Sequence, residues 1–310
     1  CYHELPGDYS AMLSVFVALV GPVNSGKTTF ATVLLHELRD RIGASYKAVV
    51  NVMDDDTADQ LDTLENALYE RGELPSPTAL EVQAVRTQMI FRFAARELGR
   101  RRGRASALVF IDSSGRDAAD HAAATRSLGH LAHAQGIVLV FDPFEFPAFR
   151  AGSAETGDGS KNSGGMAPDQ WVAMIAEQIR VGWNLAGDQL IDIPLAVCLS
   201  KADALWPQLP PGSALLKAAA HDGAFDEADA AEVADEVGAL VYSWDGGALS
   251  RQLNAAFSRY SLFCFSALGG PPGEDALAPR EGVHPVRVAD PLLWLLSQVG
   301  LVPRGRGGPG

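Results

Sequence analysis

The stretch Gly21-Pro22-Val23-Asn24-Ser25-Gly26-Lys27-Thr28 decides how the rest of the chain is interpreted. It fits the pattern G-x-x-x-x-G-K-[ST] at every position. The mostly apolar residues 11–20 before it predict a buried strand, and residues 29–43 after it have the apolar spacing of a helix. A glycine-rich loop between a strand and a helix is the setting in which this pattern binds phosphate.

Each residue type in this loop has a physical reason. The two glycines let the backbone turn tightly, so that successive N–H groups point at phosphate oxygens. Lys27 brings a positive charge to the β- and γ-phosphates, and the Thr28 hydroxyl is placed to ligate Mg²⁺. The N-terminus of the following helix adds its own N–H groups. We therefore predict nucleotide contacts from Gly21, Asn24, Ser25, Gly26, Lys27, Thr28 and Thr29.

Composition and charge narrow the class of protein. The chain has 310 residues, of which 47% are hydrophobic, and this is enough for a sizeable core. The net charge of −13 argues against nucleic acid or an anionic membrane as the main partner. No apolar run reaches the ~18 residues of a membrane span. Three cysteines form no paired framework. We expect a cytoplasmic protein with no nucleic-acid partner and no membrane span.

Apolar runs alternate with helical patterns along the rest of the chain. Buried strands are predicted at residues 105–111, 136–141 and 193–199, with helical patterns between them. Residues 79–98 fit a strand and a helix equally well. The alternation predicts an α/β fold with a doubly wound, mostly parallel sheet and helices on both faces. In such a sheet ligands bind beyond the carboxyl ends of the strands, where the polar motifs fall.

The motif Asp112-Ser113-Ser114-Gly115 follows one of these strands. An aspartate at this place can hold Mg²⁺ opposite Thr28, usually through a water. The backbone N–H of Gly115 can donate to a γ-phosphate. We therefore predict that Asp112 is a metal ligand and that Gly115 contacts the phosphate.

Two later motifs predict recognition of a guanine base. Ser200-Lys201-Ala202-Asp203 resembles [NT]-K-x-D, with serine in place of asparagine or threonine. A carboxylate such as that of Asp203 can accept from both N1–H and the N2 amine of guanine, whereas adenine offers neither donor in that arrangement. The stem of Lys201 can lie over the base. Ser266-Ala267-Leu268 resembles the S-A-[KL] loop, whose backbone N–H donates to guanine O6.

The order of the four motifs resembles that of Ras-like, translation-factor-related GTPases over residues 11–268. The sequence is most similar to the bacterial double-GTPase families of conflict and signalling systems. That similarity rests on Gly21–Thr29, Asp112–Gly115, Ile137–Pro143, Ser200–Asp203, Phe265–Gly269 and Pro291–Leu296.

The resemblance implies a guanine-nucleotide switch paired with a second GTPase or a protein effector. From the residues themselves we expect GTP/GDP binding that depends on Mg²⁺, with slow hydrolysis. We expect a GTPase-like P-loop domain over residues 11–300, with insertions near 54–104, 151–169 and 205–247. Residues 1–10 and 301–310 are expected to be tails. Some members of these families carry an upstream zinc ribbon, of which a chain starting at Cys1 could be the continuation.

Two departures from the Ras-like pattern affect the predicted chemistry. The stretch between Thr28 and Asp112 is much longer than in small Ras-like GTPases, so its length leaves the position of the Mg²⁺-sensing threonine open. Thr78 is the preferred candidate, with Thr57 and Thr63 as competitors. Arg116 stands where many GTPases have a glutamine that orients the attacking water. Arginine has only donors and cannot accept from that water.

The candidate catalytic residues are Lys27, Gly115 and Arg116, and the candidate metal ligands are Thr28, Asp112 and Thr78. Arg116 could also act as a built-in arginine finger. Two other functions stay open. One is an ATP-using P-loop enzyme, which leaves Ser200–Asp203 unexplained, and the other is a pseudo-GTPase scaffold without turnover. The run Asp54-Asp55-Asp56 suits a helix N-terminus better than a metal site.

Overall fold

A computed structural model describes residues 13–39, 43–46, 48–75, 88–95, 106–112, 128–152, 166–219, 221–273, 277–279 and 281–305. The strands in these ranges are β1 Leu13–Val20, β2 Ala48–Val52, β3 Gln88–Ala95, β4 Ser106–Asp112, β5 Gly136–Phe141, β6 Leu195–Leu199, β7 Phe225–Asp226, β8 Tyr260–Cys264 and β9 Arg304–Gly305. The helices are α1 Lys27–Glu37, α2 Gly43–Ser45, α3 Asp55–Glu65, α4 Pro147–Gly152, α5 Pro168–Trp183, α6 Glu227–Asp245, α7 Ala248–Ala256 and α8 Asp290–Gln298.

Seven of the described strands form one sheet in the order β2-β3-β4-β1-β5-β6-β8. The five strands from β4 to β8 in that order are mutually parallel. Only β3, among the described strands of this sheet, runs antiparallel to both of its neighbours. The prediction of an α/β fold with a mostly parallel, doubly wound sheet is confirmed.

The stretch that fitted strand and helix equally well contains β3. Burial alternates in the middle of this strand: Phe91 and Phe93 are buried, and Arg92 between them is exposed. Phe91 pairs with Leu108 of β4 on one side and with Val52 of β2 on the other. The strand therefore gains backbone hydrogen bonds along both edges, which resolves the ambiguity that the sequence pattern left open.

Hydrophobic side chains fill both faces of the sheet. Val15, Val17 and Leu19 of β1 pack in the cluster that includes α1 and α8, whereas Ala18 and Val20 pack in the cluster that includes α5, α6 and α7. Successive residues of a strand point to opposite faces of the sheet, so β1 needs apolar residues at both odd and even positions. All six residues of the central β5 are buried. The carboxyl ends of the parallel strands consequently meet at one edge of a rigid sheet.

Two further segments complete the described body of the chain. Helix α6 is capped by Asp226, whose side chain accepts from the N–H groups of Ala228 and Asp229, and the helix buries Val233 and Val237. Within residues 301–310, Leu301 and Val302 are buried and β9 pairs with β7. None of the helices in the described ranges combines the length and the hydrophobicity that a bilayer crossing requires.

Candidate functional site

The loop between β1 and α1 has a backbone that only glycine fits at its first position. Gly21 has φ +149°, and a Cβ built there would lie 2.2 Å from the carbonyl oxygen of Val140 in β5. Gly26 has φ +82° and lies directly before α1. Both values are in the region that favours glycine. The spacing of the two glycines therefore follows from the tight path that the loop takes across the edge of the sheet.

Lys27 lies inside the curve of this loop. Its Nζ donates to the carbonyl oxygens of Gly21 at 2.9 Å and of Pro22 at 2.6 Å, and its residue is only 8% exposed. Ser25 beside it is fully buried. A buried ammonium group enclosed by backbone gives the loop a fixed positive centre. Asn24, Ser25 and Gly26 lie in this loop, and Lys27, Thr28 and Thr29 form the first turn of α1; that these residues contact a nucleotide stays a prediction.

The two predicted base-recognition motifs contact each other. Ser266 Oγ lies 2.6 Å from Oδ1 of Asp203, and the N–H of Gly269 donates to the same serine oxygen at 2.9 Å. Since the serine oxygen accepts from Gly269, its own hydrogen is available to donate to Asp203. The N–H of Ala202 donates to the carbonyl oxygen of Phe265 at 3.0 Å. The loops after β6 and β8 thus form one unit, which includes Ala267 and Leu268.

This unit lies against the glycine-rich loop. A Cβ built on Gly26 would lie 4.0 Å from both Cβ and Oγ of Ser200. Ser200 itself is buried, and both its N–H and its hydroxyl donate to the carbonyl oxygen of Phe141, at 2.8 and 3.1 Å. The serine in place of asparagine or threonine is therefore bound to β5. Three motifs that are far apart in the sequence meet at the same edge of the sheet.

Sequence reasoning missed Asp142 as a site residue. Lys201 Nζ lies 2.5 Å from Oδ2 of Asp142, and the N–H of Phe144 donates to Oδ1 at 3.0 Å. The available signal was the polar residue that directly follows the buried strand β5, in Phe141-Asp142-Pro143. Its position at the carboxyl end of a central strand could have marked it, because the other polar motifs follow strands in the same way.

The segment before α8 also supports the base-recognition loop. Val286 and Ser266 exchange two backbone hydrogen bonds of 2.9 and 3.1 Å, and the N–H of His284 donates to the carbonyl oxygen of Leu268 at 2.9 Å. Gly269 has φ +78°, and a Cβ there would lie 2.0 Å from the carbonyl oxygen of His284. No local pattern in the sequence predicts this pairing, because it joins segments that are separated by a long loop.

The remaining predicted site residues are described only in part. Asp112 is the last residue of β4, and it is paired in register with Leu19 of β1, close to the start of the glycine-rich loop. Its backbone therefore lies at the same edge of the sheet. Thr78, Gly115 and Arg116 lie outside the described residues.

The two competing threonines make local contacts in α3. Thr57 is fully buried, its Oγ1 donates to Oδ2 of Asp54 at 2.8 Å, and it accepts from the N–H of Ile90 at 3.2 Å. Thr63 donates to the carbonyl oxygen of Asp59 at 2.7 Å. Asp54 also accepts from the N–H of Thr57 at 2.8 Å, as the N-terminal cap of α3. The acidic run thus serves a helix N-terminus, as expected.

One group in the described residues, namely His221, Asp229 and Asp290, has the spacing of metal ligands. The guanidinium of Arg287 occupies it, with donors 2.7 and 2.8 Å from the Asp229 carboxylate and 2.9 Å from Asp290. His221 Nδ1 accepts from the N–H of Asp226 at 3.1 Å, so its Nε2 carries the proton and cannot bind a metal. Burial acts to lower the pKa of Arg287, but its bonds to Asp229 and the charge of Asp290 outweigh this and raise it. The group is an ion-pair network.

The profile of the family Double-GTPase 2 matches residues 15–246, which is most of the chain. This chain belongs to the Double-GTPase 2 family. Membership places it among the GTP-binding proteins of the GTPase type, with the P-loop and the base-recognition unit inside or beside the matched range. No curated protein matches the sequence.

Solved structures with low similarity to this chain include the three that follow. The Ski7 GTPase-like domain of S. cerevisiae bound to GTP is 15% identical, with a TM-score of 0.42 over 94% of this chain and 50% of that one. The SRb-GTP/SRX complex of the signal recognition particle receptor from Chaetomium thermophilum is 14% identical, with a TM-score of 0.36 over 88% and 95%. Roco2 RocCORdC of Methanosarcina barkeri bound to GDP is 14% identical, with a TM-score of 0.34 over 94% and 50%. The chain spans about half the length of the first and third of these.

Proposed function

We propose that this Double-GTPase 2 protein is a Mg²⁺-dependent, GTP-binding switch with slow intrinsic hydrolysis, which acts through a partner protein. The observation that carries the proposal is the 2.6 Å contact between Ser266 and Asp203 beside the P-loop. This contact orients the Asp203 carboxylate, an acceptor-only group that can pair with the N–H donors of a base, on the same edge of the sheet as the phosphate loop. In this proposal the glycine-rich loop binds the phosphates, and the Asp203–Ser266 unit at the same edge of the sheet binds the base.

The chemistry of the base subsite favours guanine. Asp203 is partly buried, and one of its oxygens accepts from Ser266. Its carboxylate can still accept from the N1–H and N2–H groups of guanine, and such charge-assisted bidentate bonds are strong and selective. Adenine presents an acceptor at N1 and would leave the carboxylate without a donor. Discrimination against a base that leaves buried polar groups unpaired is large.

The donor set at the phosphate subsite suits Mg²⁺. Thr28 offers a hydroxyl oxygen in the first turn of α1, and Asp112 offers a carboxylate at the carboxyl end of β4. Mg²⁺ prefers such hard oxygen ligands and takes its remaining ligands from phosphate and water. When bound, Mg²⁺ would neutralise phosphate charge. Lys27 would bind the β- and γ-phosphates, Gly115 would donate to the γ-phosphate, and Thr78 would respond to it as the switch threonine.

The partner is proposed to be a second GTPase or an effector protein, with the complex in the cytoplasm. A residue from the partner would supply the catalytic group that the Arg116 position does not provide, since arginine cannot accept from the attacking water. A pseudo-GTPase scaffold that binds GTP without turnover is the second candidate, and Arg116 is the specific feature that favours it. An ATP-using enzyme is a weaker candidate because it gives Asp203 no role.

The experiment that tests the proposal compares the binding of GTP, GDP and ATP to the full chain, with Mg²⁺ and with EDTA, by isothermal titration calorimetry. We expect GTP and GDP to bind at least about 100-fold more tightly than ATP, which corresponds to ~2.7 kcal/mol. Removal of Mg²⁺ should lower the affinity for GTP more than the affinity for GDP, because only GTP has a γ-phosphate that can ligate the ion. Equal affinity for ATP and GTP would contradict the proposal. Single-turnover hydrolysis of bound GTP then separates the switch from the scaffold.

A further inference from the structure

An ion pair joins Lys201, the second residue of the base-recognition motif, to Asp142. Asp142 follows β5 and Lys201 follows β6, and these two strands are neighbours in the sheet. The side chain of Asp142 is 2% exposed, whereas that of Lys201 is 44% exposed. The pair thus joins a buried carboxylate to a lysine whose side chain remains partly exposed.

Asp142 is held in place independently of Lys201. Its Oδ1 accepts from the N–H of Phe144 at 3.0 Å, which leaves Oδ2 to face Lys201 Nζ at 2.5 Å. Pro143, which is buried, begins the short 3-10 turn that Asp142 caps. A carboxylate fixed by a backbone donor and a proline-stiffened turn is a rigid anchor for an ammonium group.

Strand β5 contacts two successive residues of the base-recognition motif. The carbonyl oxygen of Phe141 accepts from both the N–H and the hydroxyl of Ser200, and Asp142 accepts from Lys201. Lys201 has φ +52°, a left-handed conformation that non-glycine residues adopt rarely unless their surroundings hold them. Ser200 is thus anchored through the carbonyl oxygen of Phe141, and Lys201 is anchored through the carboxylate of Asp142.

We infer that Asp142 is a positioning residue for base recognition, which holds the Lys201 ammonium so that the hydrocarbon stem of Lys201 lies along the bound guanine. This inference rests on the proposed function, since it requires a guanine nucleotide in the site. Lysine stems cover flat apolar surfaces while the charged head keeps a polar partner. Without the anchor, the stem samples many rotamers in the free protein, and binding must order it at a cost in affinity.

The test measures binding of GDP and of Mg²⁺–tripolyphosphate, which has no base, to the wild-type chain, Asp142→Asn, Lys201→Met and the double variant. Asp142→Asn keeps an oxygen for Phe144 and removes the charge that faces Lys201. We expect Asp142→Asn and Lys201→Met each to weaken GDP about tenfold. Tripolyphosphate affinity should change less than about twofold. The double variant should bind GDP within about twofold of Lys201→Met, because both changes break the same pair.

Asp235→Asn, at an exposed carboxylate on α6, controls for the loss of one negative charge and should bind GDP like the wild type. The inference is wrong if folded Asp142→Asn binds GDP with wild-type affinity. It is also wrong if Asp142→Asn lowers GDP affinity as much in the Lys201→Met variant as in the wild type, or if it lowers tripolyphosphate affinity as much as GDP affinity. Should Asp142→Asn fail to fold, Lys201→Arg replaces it, since arginine keeps the ion pair. Lys201→Arg should stay within about threefold of the wild type, and a loss equal to that of Lys201→Met overturns the inference. A wild-type chain that does not prefer GTP to ATP refutes the proposed function instead.

Discussion

Asp203 and Ser266 are separated by 63 positions in the sequence, yet Oδ1 of one lies 2.6 Å from Oγ of the other. The serine also accepts from the N–H of Gly269, so its proton is directed at the carboxylate. Two loops that follow different strands therefore set the orientation of a single acidic group. We therefore expect base selectivity to depend on both loops, and a substitution of Asp203 tests this.

We predict that Asp203→Asn abolishes the preference for GTP. The new amide nitrogen faces the N–H donors of guanine, whereas the C2 carbonyl of xanthine can accept from it. GTP affinity should fall by at least about tenfold, and xanthosine triphosphate should gain by a similar factor. Competition binding against a labelled guanine nucleotide measures both. An Asp203→Asn protein that still prefers GTP to xanthosine triphosphate would exclude Asp203 from base recognition.

We predict that Lys27→Ala weakens triphosphate binding by at least about tenfold, or ~1.4 kcal/mol. Lys27 Nζ is enclosed by the carbonyl oxygens of Gly21 and Pro22, so its charge lies where the phosphates are expected. Lys217→Ala, at an exposed lysine, is the control for the loss of one positive charge. Calorimetry with GTP and Mg²⁺ gives the affinities. Unchanged affinity in a folded Lys27→Ala protein would remove the loop from the nucleotide site.

We predict that the isolated chain hydrolyses GTP slowly, on the order of 10⁻⁴ to 10⁻² s⁻¹ or less, as unassisted GTPases do. Arg116 cannot accept from the attacking water, while Lys27 and Mg²⁺ still stabilise some transition-state charge. In single-turnover assays Arg116→Ala should change the rate little, and Arg116→Gln should raise it. A wild-type rate near ~1 s⁻¹ that collapses in Arg116→Ala would instead identify Arg116 as an arginine finger.

We predict that Gly21→Ala destabilises the fold by several kcal/mol and abolishes nucleotide binding. The new Cβ would lie 2.2 Å from the carbonyl oxygen of Val140, and φ at this position is +149°. Gly187→Ala is the matched control, because a Cβ there meets no atom within 4 Å. Urea unfolding of both variants gives the free energies. Equal stability of the two would show that the loop can move away from β5 at little cost.

We predict that alkaline pH destabilises the fold through two buried thiols, Cys198 and Cys264. Burial raises the pKa of Cys264 to about 12 from its ordinary value of 9.0, with the charge of Asp203 adding to it, and burial raises that of Cys198 as well. A raised pKa in the folded state gives stability that is complete below the ordinary pKa and is lost as pH rises towards the folded value. Between pH 9 and 10 the Cys264 thiol should lower the free energy of unfolding by about 1 kcal/mol, and Cys198 should act in the same direction.

Urea unfolding at pH 8, 9 and 10 tests this prediction, with Cys264→Ala compared with the wild type. The charge of Cys264 also acts on Cys198, whereas the remaining groups should titrate alike in both proteins, so a difference in the slope of unfolding free energy against pH reports on these two thiols. The variant should lose about 1 kcal/mol less than the wild type between pH 9 and 10. Parallel slopes would mean that the thiolate forms in the folded protein without penalty.

Local sequence patterns determined much of this protein. Residues 15–20 are apolar at both odd and even positions because both faces of β1 are covered, and a continuous apolar run of this kind is typical of a central strand. Gly26 is favoured by its backbone angle, φ +82°, which is a local property of the loop; at Gly21 the angle of +149° favours glycine in the same way, and the carbonyl oxygen of Val140 adds a tertiary reason. The α/β fold, the position of the phosphate loop and the choice of Asp203 and Ser266 as candidates could therefore be predicted.

Only the tertiary structure decided which of these elements are neighbours. The pattern of residues 88–95 does not say that β3 runs antiparallel between β2 and β4, because periodicity reports burial and not strand order. In the same way, Asp142 meets Lys201 because β5 and β6 are adjacent in the sheet, and Val286 meets Ser266 because the segment before α8 folds back onto the loop after β8. These contacts join residues that are distant along the chain, so their formation depends on how the whole chain closes its sheet.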